Sequence, residues 1–450
     1  MAVRFPCLHI MTDTVGHRVA SVFVAVGLAG SGCPTGFDSG VVWDSAPPID
    51  SGGTAVVTTS NDGGTASSDG SSAGSTGAPQ PAGDCAALDA PLGASEQMLV
   101  DMPADSWLRV AQGYRSVCDD AFELEWHSVA GCAGVINDWS GGVWDPVGRQ
   151  LLLWGGGTGY AGNEVYAFSA ASFTWSRLTE PSPGPYSRDP LDDGRPVSRQ
   201  TYNGLAWVDH LDAMLGWGGA RAQDGVATDV TWLFDPAQAL WTQPAGRFVP
   251  ASGYEVSMVY DPATGHVLTK LPSLLYDLDP ATNTWTMVAD LGFPPDWPRY
   301  YGGSPSNALD TERRLAWFVG GGQYLVWDID QGMAVTDDWV TTGGGMFDNG
   351  LAEQYPEQAF VSGGGDVISQ PDPGFAYDAR TDQMMAWVGG GPYELDLDTK
   401  VWTRRSGTDA PVAALARGTF GRWRYVCAYN VFILVTSMDD VYFYKHTAGA

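Results

Sequence analysis

Five short clusters join guanidinium, amide or carboxylate groups to aromatic rings. They are Asn137, Asp138 and Trp139; Arg199, Gln200 and Tyr202; Tyr254 and Glu255; Arg299, Tyr300 and Tyr301; and Arg422, Trp423 and Arg424. Guanidinium groups offer paired donors that match carboxylates, and aromatic faces suit the apolar faces of sugars. Two further stretches, TGYAGN (158–163) with Tyr160 and Asn163, and ARAQDGVATD (220–229) with Arg221, have the composition of binding loops. The predicted ligand-binding set is therefore Trp139, Tyr160, Asn163, Arg199, Gln200, Tyr202, Arg221, Glu255, Arg299, Tyr300, Arg422 and Trp423. Within it, Arg199 and Arg422 are expected to converge on a carboxylate-bearing sugar. Each of these side chains also has a structural use, because strand aromatics pack between sheets and strand arginines bond carbonyl groups. No catalytic residue, metal or cofactor is assigned. The carboxylate runs at 189–193, 337–338 and 439–440 lack the spacing of a calcium loop. Asp235, Asp261 and Asp279, each followed by proline, read as turn-formers.

The elements that position these residues are repeated. A glycine-rich exit from an apolar strand is followed by a tryptophan in LLLWGGG (151–157) with Trp175 and in MLGWGG (214–219) with Trp241. The pattern returns in AWFVGGG (316–322) with Trp339 and in AWVGGG (386–391) with Trp402. A period of roughly 50 residues marks a stacked or radial repeat. In the first copy SGGVWD, QLLLW, EVYAFSA and TWSRL read as four successive strands with turns between, which is one propeller blade. Further copies span 202–243, 257–288, 306–339 and 374–402. A sixth, 424–445, runs out of chain before its outer strand, and Trp107 in ADSWLRV supplies an orphan outer strand at the other end.

These residues resemble the kelch repeat: a diglycine closing the second strand, an aromatic–acidic third strand and a tryptophan in the outer strand. The resemblance covers roughly residues 103 to 446. It implies an all-β, six-bladed propeller like the galactose oxidase central domain, with four-stranded antiparallel blades closed by the N-terminal strand. It also implies that binding gathers where glycine exits and inter-blade loops meet, the glycine face. Enzymes of this kind include galactose-oxidase-like copper oxidases, which need two histidines and two tyrosines at the mouth. Past the N-terminal region the histidines are His127, His210, His266 and His446, and two of them fall in hairpins on the opposite face. A sialate-mutarotase-like activity is the enzymatic alternative; a passive adhesion or assembly scaffold is another.

Residues 1–32 read as a signal peptide, with Arg4, His17 and Arg18 before the apolar run 19–29. Gly30, Ser31 and Gly32 then lead into Cys33, which resembles the lipidation site of a bacterial lipoprotein, although Leu28 sits two positions early. Plain secretion is the alternative. Residues 33–84 are rich in Ser, Gly, Thr and Ala and read as a disordered tether, leaving 85–450 for the propeller. The expected location is outside the cytoplasm, at the outer membrane or cell surface, or secreted. Cys118 and Cys132 bracket a short segment and are expected to be bridged; the pairing of Cys85 and Cys427 stays open.

With 23 basic against 52 acidic residues the formal charge is −29, which disfavours nucleic acid and anionic lipid surfaces as partners. The expected partner is a glycan or protein at the propeller mouth. Contact with a membrane is expected only through the lipid anchor, and the chain is expected to act as a monomer.

Overall fold

The computed structural model describes residues 91–118, 131–246, 250, 253–291, 305–320, 323–335, 340–341, 360–361, 365–399, 401–412 and 418–449. Cys33, Arg299 and Tyr300 lie outside them. Six four-stranded antiparallel sheets are formed among the described residues. Their inner strands are Gly141–Asp145, Leu205–Val208, Ser257–Asp261, Ser306–Asp310, Gly374–Asp378 and Trp423–Val426. Each inner strand touches the next, and the sixth touches the first, so the chain is a closed six-bladed propeller.

Closure follows the expected exchange between chain ends. Ser106–Val110 pairs antiparallel with Val441–Lys445, Trp107 opposite Tyr444, as the outer strand of the sixth blade. The short helix Ala94–Val100 reinforces this joint. Its Glu96 meets Arg149 at 2.8 Å and accepts the Tyr429 hydroxyl at 2.5 Å, while Lys445 donates to the carbonyls of Leu99, Val100 and Tyr429. Cys118 and Cys132 are disulfide-bonded. Cys427 is also disulfide-bonded.

Sequence chemistry explains the repetition. Most inner strands end in an aspartate that caps the hairpin to the second strand. Asp145 accepts the Gly148 amide at 2.8 Å, Asp261 the Ala263 amide at 3.1 Å, Asp310 the Arg313 amide at 2.9 Å and Asp378 the Arg380 amide at 2.9 Å. The last hairpin residue is left-handed in all six blades: Arg149, Asp212, Gly265, Arg314, Asp382 and Asn430, with φ between 46° and 77°. Asp235, Asp261 and Asp279 all cap turns, as their prolines predict.

The recurrent tryptophans clamp neighbouring blades. Trp154, closing the second strand of blade one, lies 4.7 Å from the outer-strand Trp241 of blade two. Trp217 of blade two lies 4.8 Å from Trp285 of blade three in the same way. Such pairs add about 0.5–1.5 kcal/mol beyond area burial, so a tryptophan at the blade exit and another on the next outer strand hold the ring together. Blade four differs from expectation: its outer strand is Met333–Ala334, ahead of Trp339, which lies outside the described residues. Among the described residues no helix is long and apolar enough to cross a membrane.

Candidate functional site: the central channel and its two ends

Aligning the inner strands by their pairing registers places one residue of every blade at each level of the channel. Four levels matter. Nearest the hairpins, just before the capping aspartates, stand Trp144, Trp207, Tyr260, Leu309, Tyr377 and Tyr425: an aromatic collar interrupted only in blade four. One step in stand Val143, Ala206, Val259, Ala308, Ala376 and Arg424, a throat of mostly small side chains. Both levels line a cavity of about 210 Å³ that reaches the hairpin residues Asp209, Pro262, Thr311 and Ala379. The cavity therefore opens on the hairpin face, opposite the glycine exits. Its innermost polar group is Asn307.

Inner strands lie at the edge of every sheet, paired on one side only. Their backbone N–H and C=O groups along the channel are therefore potential donors and acceptors for a ligand.

Beyond the throat the channel is bolted shut. The Asn203 amide donates to Asp372 at 3.1 Å, joining the entries of blades two and five on opposite sides of the ring. The Ser257 hydroxyl donates to the Pro305 carbonyl at 2.7 Å, Asn307 donates to Ser257 Oγ at 2.9 Å, and the Ser306 hydroxyl bonds the Pro373 carbonyl. These polar groups are buried and bonded to one another, so they form a rigid floor. The cavity is a pouch with one mouth.

At the glycine end, two residues before the first paired position in blades one, three and five and three before it in blades two and six, stand Trp139, Tyr202, Glu255, Asp372 and Phe420. The equivalent of blade four lies outside the described residues. Trp139, Tyr202, Asp372 and Phe420 share a left-handed backbone, φ 45–51°, which points to one common entry turn. Burial pushes the Glu255 carboxyl up to about 7, against the pull of Lys270. Burial and the nearby Glu255 hold Asp372 well above the usual carboxylate range, with Asn203 opposing. Burial lowers the Lys270 ammonium to about 8.

The two arginines expected to grip a ligand are used otherwise. Arg199 is fully buried; it bonds Asp189 at 2.5 Å and the carbonyls of Val197 and Gly218, with Trp154 beneath it. Asp189 also accepts from Thr228 at 2.8 Å and Trp232 at 3.2 Å, so this pair rivets the 179–199 segment onto blade two. Arg422 is 1% exposed and donates to the carbonyls of Ser140, Gly418 and Val435; burial lowers it to about 9. Both guanidinium groups are spent on carbonyls and an internal carboxylate because the inter-blade entries leave those acceptors without strand partners.

Others in the predicted set are also structural. Tyr160 is buried with its hydroxyl on Glu164 at 2.6 Å, and Asn163 staples Ser182 and Pro196. Arg221 pairs with Asp224 inside its own loop. Trp423 is fully buried and stacks on Phe432 at 4.8 Å. Gln200 accepts the Tyr202 hydroxyl at 2.6 Å. Tyr202, Glu255 and Trp139 remain partly open at the glycine end. Asn203, Lys270 and Asp372 join them there, and sequence reasoning passed over these three, as it did the collar.

No protein-family model matches the chain, and no curated protein matches it. Among solved structures, a protein of unknown function from Bacteroides thetaiotaomicron aligns over 75% of each chain with 9% identity and a TM-score of 0.44. A gluconolactonase from Xanthomonas campestris aligns over 69% of this chain and 86% of its own, with 13% identity and a TM-score of 0.40. Likenesses this remote carry no functional argument.

Proposed function

We propose that the protein is a binding module, exported and held at the cell envelope, that takes one sugar residue of a glycan end-on into the axial pouch from the hairpin face. The carrying observation is the pouch itself: about 210 Å³, closed at one end, with an aromatic collar at the mouth and unpaired strand edges in its wall. Aromatic rings take the apolar face of a pyranose, while edge backbone groups and Asn307 meet its hydroxyls. The small throat residues leave room for one ring and exclude an oligosaccharide inserted lengthwise. The signal-like N-terminus and the Cys118–Cys132 bridge support export, since disulfides persist in oxidising compartments. Tethering through Cys33 belongs to the same proposal and is tested by acyl labelling of wild type against Cys33→Ala.

The test is a glycan-array and pull-down screen with the purified protein, repeated with Tyr260→Ala. Tyr260 is the collar member to change because it is only half-buried. Loss of the glycan signal with an unchanged fold supports the reading; a signal indifferent to Tyr260 places the ligand elsewhere.

A further inference from the structure

We propose, on the footing of a sugar in the pouch, that the glycans taken are those with a free non-reducing end, read by the hydroxyl across the ring from the glycosidic bond. The reader is the side-chain oxygen of Asn307 at the closed end. An asparagine amide is an acceptor on one side and a donor on the other, and its bonding decides which way it turns. Ser257 decides it here. Its Oγ lies 2.7 Å from the carbonyl oxygen of Pro305, which only accepts, so the single hydroxyl proton is committed there. The same Oγ lies 2.9 Å from Asn307 Nδ2 and must accept from it. Asn307 therefore turns its amino group to the floor and its Oδ1 away. That oxygen accepts no hydrogen bond among the described residues, yet protein does not seal it, although the residue is only 5% exposed. What exposure it keeps is onto the pouch it lines.

Leu205 and Met258 line the base beside Asn307, and the other positions at its level are Gly142, Phe375 and Trp423. One acceptor thus stands in an otherwise apolar ring. In the collar above it blade four carries Leu309, while blade one, directly across the six-bladed ring, carries Trp144. A pyranose that leans its apolar face on the collar rings lowers its leading edge toward Asn307.

A blind pouch admits a chain-terminal ring only with its linkage toward the mouth. A glycan on a lipid or protein carrier is joined through its reducing end, so the end free to enter is the non-reducing one. Its linkage is at C1, and the carbon across the ring is C4. The 4-hydroxyl then reaches the base first and donates to Oδ1. Without that hydroxyl the oxygen faces hydrocarbon and stays unpaired, a cost that a site built for a hydroxyl imposes on the analogue lacking it.

The experiment is isothermal titration of the purified protein with the methyl glycosides of glucose, galactose, mannose and xylose, each beside its 4-deoxy analogue. The glycoside that binds best should lose at least about fivefold in affinity without its 4-hydroxyl, the size of one neutral hydrogen bond. Asn307→Leu should weaken the parent glycoside and leave the 4-deoxy analogue unchanged, whereas general damage would weaken both. The comparison within the wild type stands even if that variant does not fold. A preference that survives Asn307→Leu would overturn the proposal. So would binding of 4-O-methylglucose, with C1 free and C4 blocked, in place of the glycosides, since that is capture of a reducing end. Equal affinity for parent and 4-deoxy analogue, both lost in Ala376→Leu, would remove the reading of the 4-hydroxyl and leave the sugar pouch standing. No binding by any glycoside would remove both.

Discussion

Replacing Arg199 with Ala leaves the Asp189 carboxylate, 2% exposed, without its counter-charge. Breaking a buried pair from one side costs about 3–5 kcal/mol, so chemical denaturation should show a loss of that order. Arg221→Ala removes a partner from Asp224, which is 30% exposed, and should cost about 1 kcal/mol or less. Equal losses would mean that Arg199 is not the rivet described here. Sequence alone separated neither case. Arg199 and Arg221 both sit in polar, glycine-rich loops, and only the folded chain reveals that one meets an acid ten residues upstream and the other an acid three residues on. The collar was more legible. The residue before the strand-ending position is Trp144, Trp207, Tyr260, Tyr377 or Tyr425 in five of six repeats. Side chains repeating at one level of a ring must also encircle its axis.

At the scale of elements, the segment after the last strand is fastened by a buried histidine. His446 meets Asp378 at 2.8 Å and Glu394 at 3.3 Å, linking the sixth blade to the fifth. Burial works against its charge, but the hydrogen bonds it donates to these two acids raise it above 6.5. Both acids titrate low: burial opposes their charge, but His446, together with Arg405 beside Glu394, outweighs it. A raised histidine contributes fully below its unfolded value and loses its contribution as pH rises through its folded value. The depressed acids contribute above their unfolded values and lose theirs as pH falls. The stability difference between wild type and His446→Gln should therefore be largest at mildly acidic pH and shrink as pH climbs above 6.5. Thermal melts across that range check this, and a difference that grows with pH would contradict it. The Cys118–Cys132 bridge belongs to the same scale. It closes a loop of 14 residues, for which chain entropy predicts about 3 kcal/mol. Replacing both cysteines by serine should lower the unfolding free energy by about that amount.

For the whole molecule, closure and polarity decide what the propeller can do. Trp107 packs against Tyr444 at 5.0 Å, Trp423 at 6.1 Å and Tyr442 at 6.4 Å, so the first strand contributes apolar packing as well as hydrogen bonds. Deleting residues 102–110 should bare the edge of the sixth blade and drive aggregation, visible by light scattering. The blade count and this exchange were readable in advance because each blade carries its own strand periods and glycine exits. Which end of the channel stays open was not readable. That depends on Asn203 reaching Asp372, 169 residues away, and nothing local in either segment announces the contact. The kelch resemblance implies binding at the glycine face, and the cavity lies on the other side of that bond.

Ligand-observed NMR with a panel of methyl glycosides, comparing wild type with Ala376→Leu, tests the pouch most directly. Ala376 lies in the throat, and a leucine there fills part of the cavity. Saturation transfer from the wild-type protein to at least one glycoside, abolished in a variant that melts normally, is the predicted result. Transfer that survives Ala376→Leu, or none from the wild type to any glycoside, would contradict an axial sugar site.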